Sequence, residues 1–137
     1  MGADPRSALQ QLQSAAADGR LDGLCERHAV RLVTVFGSVV QADGEPADLD
    51  VAIGFEPGRR GDVLAVLDEL SRLTGSDDLD LMVLDDAPPV ARERALVGCL
   101  PLYESEPMAY ALAQVAAMGE RMDTEWLRAL DLETLRR

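Results

Sequence analysis

The sequence has few of the residues that several common kinds of active site require. His28 is its only histidine, so neither a histidine-based metal site nor a Ser–His–Asp triad can be assembled. Cys25 and Cys99 are its only cysteines, and their spacing is not that of a metal site. Two cysteines in a chain of this size predict buried thiols in a reducing compartment, and we therefore expect a cytoplasmic protein.

Long apolar runs and an excess of basic charge are missing as well. No apolar stretch approaches the length that crosses a bilayer, and residues 1–19 carry charges and glutamines where a signal peptide needs an apolar run. The formal net charge is −12, from 25 acidic and 13 basic residues. Such a chain repels phosphate backbones, which disfavours nonspecific DNA or RNA binding. The acidity is compatible with solubility, with a carboxylate metal site or with a basic protein partner.

The chain is long and apolar enough for one packed domain, because its 137 residues are 47% hydrophobic. Periodicity and turn signals predict strands over 30–36, 49–55, 78–84 and 101–104, and helices over 7–17, 21–29, 63–74, 88–98 and 108–135, the last with a break near 122–123. Alternating strands and helices predict an α/β or α+β two-layer domain. The N- and C-terminal helices would cover what its central unit leaves exposed.

The first candidate for chemistry is Gly37-Ser38, at the end of the first predicted strand. Because Gly37 has no Cβ, backbone N–H groups there can approach a phosphate closely, and the Ser38 hydroxyl can add a hydrogen bond. A glycine and a serine after a strand also form ordinary turns, so this pair by itself indicates little.

Acidic residues on the next two predicted strands are the second candidate. Asp48 and Asp50 point to the same side of a strand, with Cα atoms about 6.5–7 Å apart. Two such carboxylates can bind a hard cation such as Mg²⁺, although an exposed acidic strand face needs no such role. Asp80 interrupts an apolar strand, which is costly unless its carboxylate is exposed, paired or metal-bound. Asp78 falls on the same face, but Asp80 is the stronger candidate because apolar residues flank it on both sides.

The position of the third predicted strand decides whether these carboxylates meet. If that strand lies beside the second, Asp80 can reach the same site as Asp48 and Asp50. A third carboxylate would complete a two-metal arrangement of the kind that stabilises the attacking and leaving oxygens in phosphoryl or nucleotidyl transfer.

This ordered set of features resembles the minimal nucleotidyltransferases of the DNA polymerase β-like superfamily. Most of the likeness lies in residues 33–38, VTVFGS, and 47–53, ADLDVAI, followed by the Asp80 strand and residues 88–103. It is plain over about 21–104 and looser over the helical C-terminal extension, about 105–137. The resemblance implies a single nucleotidyltransferase domain over 1–137, with a small mixed sheet flanked by helices.

The resemblance also implies a function for each candidate residue. In that family the Gly-Ser pair binds the nucleotide's phosphates, which implies this role for Gly37 and Ser38. The aspartates of the family hold Mg²⁺, which implies metal binding and catalysis by Asp48, Asp50 and Asp80. Small members resemble antitoxins that transfer AMP from ATP to a tyrosine of a HEPN ribonuclease toxin. ATP as substrate, Mg²⁺ as cofactor and a HEPN-type toxin as partner are therefore expected, with neither direct nucleic-acid nor membrane binding.

The segment between the two motifs departs from the family pattern. The nine residues 39–47 are one fewer than usual, and the usual Arg-Gly after the Gly-Ser pair is replaced by Val39-Val40-Gln41-Ala42. Ala47 stands where a serine is common. A shortened loop without its arginine weakens contact with the phosphates. Arg59 and Arg60, after the second strand, either supply compensating charge or are two solvated loop residues.

Two other functions fit the same residues. A binding-only antitoxin of this fold would neutralise its toxin by covering it; the shortened loop favours this alternative and the intact aspartates oppose it. Transfer to a small molecule such as an aminoglycoside needs a larger acceptor domain than the residues after Glu104 can form. In the C-terminal helical region, Trp126, Leu127 and Leu130 form either an internal packing face or a partner-binding surface.

Overall fold

The structure is a computed structural model that describes residues 4–40, 48–120 and 122. In chain order its elements are helices α1 (Pro5–Asp18) and α2 (Arg20–Arg27), strands β1 (Val30–Phe36) and β2 (Leu49–Phe55), helix α3 (Val63–Thr74), strand β3 (Leu79–Val83), helix α4 (Pro89–Leu96), strand β4 (Leu100–Glu104) and helix α5 (109–120). The predicted strands 30–36 and 49–55 are confirmed without change. The predicted break near 122–123 and the Trp126, Leu127 and Leu130 face extend outside the described residues.

Capping residues set the bounds of the helices that cover the sheet. The Asp4 side chain accepts a hydrogen bond in the first turn of α1, and Asp62 does the same for α3. Gly19 and Gly75 end these two helices in the left-handed conformation, which glycine adopts without steric cost. None of the described helices is long and apolar enough to cross a membrane.

The four strands form one mixed sheet in the order β3-β2-β1-β4. Strand β1 pairs antiparallel with both β2 and β4, whereas β2 and β3 are parallel. Parallel neighbours need a crossover connection, and α3 provides it. The third strand thus lies beside the second, as the predicted meeting of the carboxylates requires.

Alternating side chains divide the core between the two faces of the sheet. Val51 and Ile53 of β2 belong to the larger buried cluster, with residues of α1, α2 and α3. Ala52 points to the other face and packs in a second cluster with Leu96 of α4 and Ala117 of α5. The described fold therefore has three layers rather than the predicted two, because α4 and α5 together cover the second face.

Candidate active site

Asp50 and Asp80 lie side by side at one edge of the α4 face. They are direct partners in the parallel pairing of β2 with β3, where neighbouring strands lie about 4.8 Å apart. Asp50 also pairs across the other side with Phe36, the last residue of β1. Alternation along β2 places Asp50 on the same face as Ala52, whose methyl group is buried against α4 and α5. The predicted approach of Asp80 to Asp50 is present in the fold.

Gly37 brings the backbone turn after β1 against the same carboxylate. Its φ is +80°, and a Cβ built on it would lie 2.3 Å from Oδ2 of Asp50, far inside van der Waals contact. A side chain at position 37 would strain the backbone and would have to displace the Asp50 carboxylate. Ser38 follows within the short 3₁₀ turn Gly37–Val39. The turn at Gly37 therefore lies against the carboxylate of Asp50, which is the strand partner of Asp80.

The electrostatics of the site come from three acidic groups. Burial raises the pKa of Asp50, and the neighbouring carboxylates of Asp80 and Asp48 raise it further. The three groups therefore interact, with Asp50 half-buried and Asp48 and Asp80 exposed. Negative charge that is crowded in this way is relieved by a proton or by a bound cation.

The donor chemistry of this site fits a hard divalent cation. Carboxylate oxygens are the ligands of Mg²⁺, which is often held by one or two carboxylates together with waters and substrate phosphates. Within the described residues, however, no group of three acidic, histidine or cysteine side chains is arranged to hold an ion. The fold thus brings Asp50 and Asp80 together, while Asp48 stands near them without completing a three-ligand set.

Asp78 lies outside this arrangement. It precedes β3, and its backbone N–H donates to the Ser76 hydroxyl oxygen at 3.2 Å. Asp80, in contrast, lies within the strand and in register with Asp50. The choice of Asp80 over Asp78 on sequence grounds agrees with the strand register.

The arginines that follow β2 do not supply charge to the site. Asp50 is near the start of β2 and Phe55 is at its end, about 17 Å away along the strand. Arg59 and Arg60 follow that far end, where Arg60 forms an ion pair with Asp86. Of the two interpretations of these arginines, the one in which they are loop residues remote from the acidic site is correct.

Arg94 is the residue of the site that the sequence did not reveal. Its guanidinium carbon lies 6.0 Å from the centre of the Phe36 ring, and its charge lowers the pKa of Asp50 against the larger opposing effects. Arg92 and Arg94 both lie on α4, about 200° apart around the helix axis. Arg92 points to Glu120 instead. An eight-residue helix with mixed polarity gave no signal for which arginine faces the site.

Most of the chain matches one known protein family. Residues 20–107 match the family described as "Polymerase beta, Nucleotidyltransferase". The match spans more than half of the 137 residues, and the chain belongs to this nucleotidyltransferase family. A comparison with curated proteins gives no match.

Solved structures with the same fold include chains from toxin–antitoxin complexes. One, from a toxin–antitoxin crystal structure with AMP-PNP, is 17% identical with a TM-score of 0.65, over 88% of this chain and 98% of that one. Another comes from a complex of tri-AMPylated Shewanella oneidensis HEPN toxin with MNT antitoxin; it is 18% identical with a TM-score of 0.63, over 91% and 99% of the two chains. At these identities the likeness establishes the shared fold.

Proposed function

We propose that this protein is a Mg²⁺-dependent nucleotidyltransferase that transfers AMP from ATP to a tyrosine of a HEPN-type ribonuclease toxin, and that it thereby acts as a cytoplasmic antitoxin. The observation that carries the proposal is the pairing of Asp50 with Asp80 directly against the Gly37 turn. Carboxylates for a metal and a close-approach backbone turn for phosphates are the two parts that nucleotidyl transfer needs.

Each residue of the site has a role in this reaction. Backbone N–H groups at Gly37 and the Ser38 hydroxyl bind the β- and γ-phosphates of ATP. Asp48, Asp50 and Asp80 would hold Mg²⁺, which would neutralise charge on the phosphates when bound. Asp80 also accepts the proton of the attacking hydroxyl.

The transfer of AMP is a single displacement in which one bond to the α-phosphorus forms and another breaks. The tyrosine hydroxyl oxygen forms a bond to the α-phosphorus of ATP, and the bond from that phosphorus to the bridging oxygen of the β-phosphate breaks. Pyrophosphate leaves with the bonding electron pair, and the hydroxyl proton goes to Asp80. The partner toxin then carries AMP as a phosphodiester on its tyrosine.

Two observations support a toxin as the acceptor. The same fold occurs in chains from toxin–antitoxin complexes, one with AMP-PNP and another containing a tri-AMPylated HEPN toxin. The formal net charge of −12 also suits a basic partner, because opposite charge steers association.

A binding-only antitoxin is the alternative, and two observations favour it. Among the described residues no three ligating side chains converge on an ion, and the sequence segment 39–47 is one residue shorter than is usual in the family. In this alternative the fold covers the active site of the toxin without transferring a nucleotide.

Transfer of label from ATP carrying a labelled α-phosphate tests the proposal. The protein is incubated with Mg²⁺ and the product of the neighbouring gene, beside an Asp48→Asn, Asp50→Asn double variant. As a matched control, Asp77→Asn with Asp78→Asn removes the same charge from exposed positions before β3. We expect label on the partner with the wild type and the control, and none with the double variant or with EDTA. A tight complex without label under all conditions would establish the binding-only alternative.

A further inference from the structure

We propose that Arg94 binds the phosphate chain of the nucleotide from the α4 side, opposite the Gly37-Ser38 turn. This inference rests on the proposed function, because it concerns the same nucleotide site. It assigns to α4 a direct part in substrate binding that neither the Gly-Ser motif nor the aspartates indicate.

The position of Arg94 is set by contacts on both sides of it. Its guanidinium group lies over the ring of Phe36, and Phe36 is the strand partner of Asp50. The ring is buried, with 6% of the residue exposed, so it offers a fixed surface, while Arg94 itself is exposed. Cation, ring and carboxylate therefore form a continuous row at the end of β1.

Arg94 is also available to a ligand. Arginines 20, 27, 31, 60, 72 and 92 each form an ion pair with an acidic side chain. Arg94 forms no ion pair with any residue that the structure describes, and its contact there is the face of an aromatic ring. A guanidinium that lies over the face of a ring does not use its N–H donors on that ring, so they can bind phosphate oxygens in a bidentate manner.

Binding of a polyphosphate at this site requires a positively charged group, because the site itself is acidic. Asp48, Asp50 and Asp80 repel a polyphosphate, and the residues that follow Ser38, Val39-Val40-Gln41-Ala42, carry no basic side chain. Arg94 lies over the ring of Phe36, and Phe36 is the strand partner of Asp50. Among the residues that the structure describes, phosphates that enter beside the carboxylates therefore meet the positive charge of Arg94, which projects from α4.

Helix α4 is anchored firmly enough to hold Arg94 in place. The buried Thr34 hydroxyl donates to the Ala95 carbonyl at 2.8 Å. On the other side of the helix, the Arg92 guanidinium donates to the carbonyls of Leu84 and Ala87. The backbone on each side of Arg94 is thus tied to the sheet and to the turn after β3.

Nucleotide binding by Arg94 variants tests the inference without requiring catalysis. Dissociation constants are measured by calorimetry for AMP-PNP, AMP and adenosine with Mg²⁺, using the wild type, Arg94→Gln, Arg94→Lys and Arg59→Gln. Arg59→Gln is the matched control, because it removes the same charge from an exposed arginine at the far end of β2. Thermal unfolding of each variant shows whether the fold is kept.

The inference predicts that the loss of affinity in Arg94 variants grows with the number of phosphate groups in the ligand. Arg94→Gln is expected to bind AMP-PNP roughly ten- to a hundredfold more weakly, because charge-assisted hydrogen bonds are lost. The loss of affinity is smaller for AMP, and the affinity for adenosine does not change. Arg94→Lys recovers part of the affinity, and Arg59→Gln binds as the wild type does. Unchanged AMP-PNP affinity in Arg94→Gln, or an equal loss for AMP-PNP and adenosine, overturns the inference alone. Absence of nucleotide binding by the wild type overturns the proposed function and this inference with it.

Discussion

At the scale of single residues, the contact of Gly37 with Asp50 joins the backbone turn to the acidic site. The left-handed φ of Gly37 and the 2.3 Å that would separate its Cβ from Oδ2 of Asp50 are independent constraints. The first concerns backbone strain and the second concerns the position of a carboxylate. Alanine substitutions at Gly37 and Gly58 can separate these two effects, because both glycines have a left-handed φ and only Gly37 lies against a carboxylate.

Gly37→Ala is expected to lower stability and to abolish nucleotide binding, whereas Gly58→Ala lowers stability alone. Both glycines have a left-handed φ, but a Cβ on Gly58 meets nothing within 4 Å. Each substitution costs about 1–2 kcal/mol of backbone strain, and only the first displaces Asp50. Denaturant unfolding and AMP-PNP binding measure the two effects. Normal nucleotide affinity in Gly37→Ala would show that the close approach to Asp50 is unimportant.

Asp50→Asn is expected to stabilise the protein at neutral pH. Burial, Asp80 and Asp48 raise the pKa of Asp50 in the folded state, so its ionised form opposes folding above that pKa. Removing like charge between paired strands contributes about 0.2–1 kcal/mol. The gain shrinks as the pH falls through the raised pKa, because protonated Asp50 is then as neutral as asparagine.

Unfolding of wild type, Asp50→Asn and Asp77→Asn between neutral and acidic pH checks this expectation. Asp77 is exposed, so its substitution controls for the change in net charge. A gain from Asp50→Asn that is equal at all pH values, or that Asp77→Asn reproduces, would contradict the role of the carboxylate cluster.

The same residues show how far sequence reasoning reaches. Asp50 and Asp80 could be predicted as partners because a polar residue in an alternating apolar strand is conspicuous, and the register of β2 with β3 pairs them. Arg94 could not be predicted, because its direction depends on how a short helix packs on the sheet. The local spacing of residues determines on which face of the sheet a strand side chain lies, but it does not determine how α4 is oriented on that sheet.

At the scale of elements, the C-terminal end of α4 is held by side chains from two neighbours. The last carbonyls of a helix have no partner within it. Thr34 of β1 donates to the Ala95 carbonyl, and Tyr110 and Gln114 of α5 donate to the Leu96 carbonyl at 2.8 and 3.1 Å. The helix that carries Arg94 is thereby joined to the sheet and to α5.

Thr34→Val is expected to destabilise the protein by about 1–3 kcal/mol. The variant keeps the branched shape but leaves the buried Ala95 carbonyl without its donor. Because α4 loosens, AMP-PNP binding weakens as well, though less than in Arg94→Gln. Chemical unfolding and calorimetry measure both. Thr34→Ser, which retains the hydroxyl, should bind AMP-PNP more tightly than Thr34→Val does; the opposite order would argue against this anchor.

The elements themselves could largely be predicted, since the β1 and β2 bounds were correct and α3 was found from its apolar stripe. The strand order could not be predicted from local patterns, because pairing between β1 and β4 depends on contacts distant in sequence. The C-terminal helix was predicted as a cover for the sheet, but the burial of Ala109 and Ala117 could not be predicted, because such small residues give no periodic apolar signal.

At the scale of the whole molecule, the net charge of −12 predicts how a basic toxin partner associates. Long-range attraction raises the association rate, and salt screens it over a Debye length that falls from about 30 Å at 0.01 M to about 8 Å at 0.15 M. We therefore expect the association rate to fall on the order of tenfold across this range, with little change in dissociation. Stopped-flow measurements over a salt series test this, and an association rate that is independent of salt would contradict it.

If the Asp50–Asp80 site silences a toxin by covalent transfer, the toxin stays inhibited after the antitoxin is removed, and its ribonuclease activity can then be measured. The toxin is incubated with this protein, ATP and Mg²⁺, separated under denaturing conditions, refolded and assayed, beside a sample treated with the Asp48→Asn, Asp50→Asn variant. Mock-treated toxin confirms that refolding restores activity. We expect toxin treated with the wild type to stay inactive and toxin treated with the variant to recover. Full recovery after both treatments would rule out covalent silencing and leave neutralisation by binding alone.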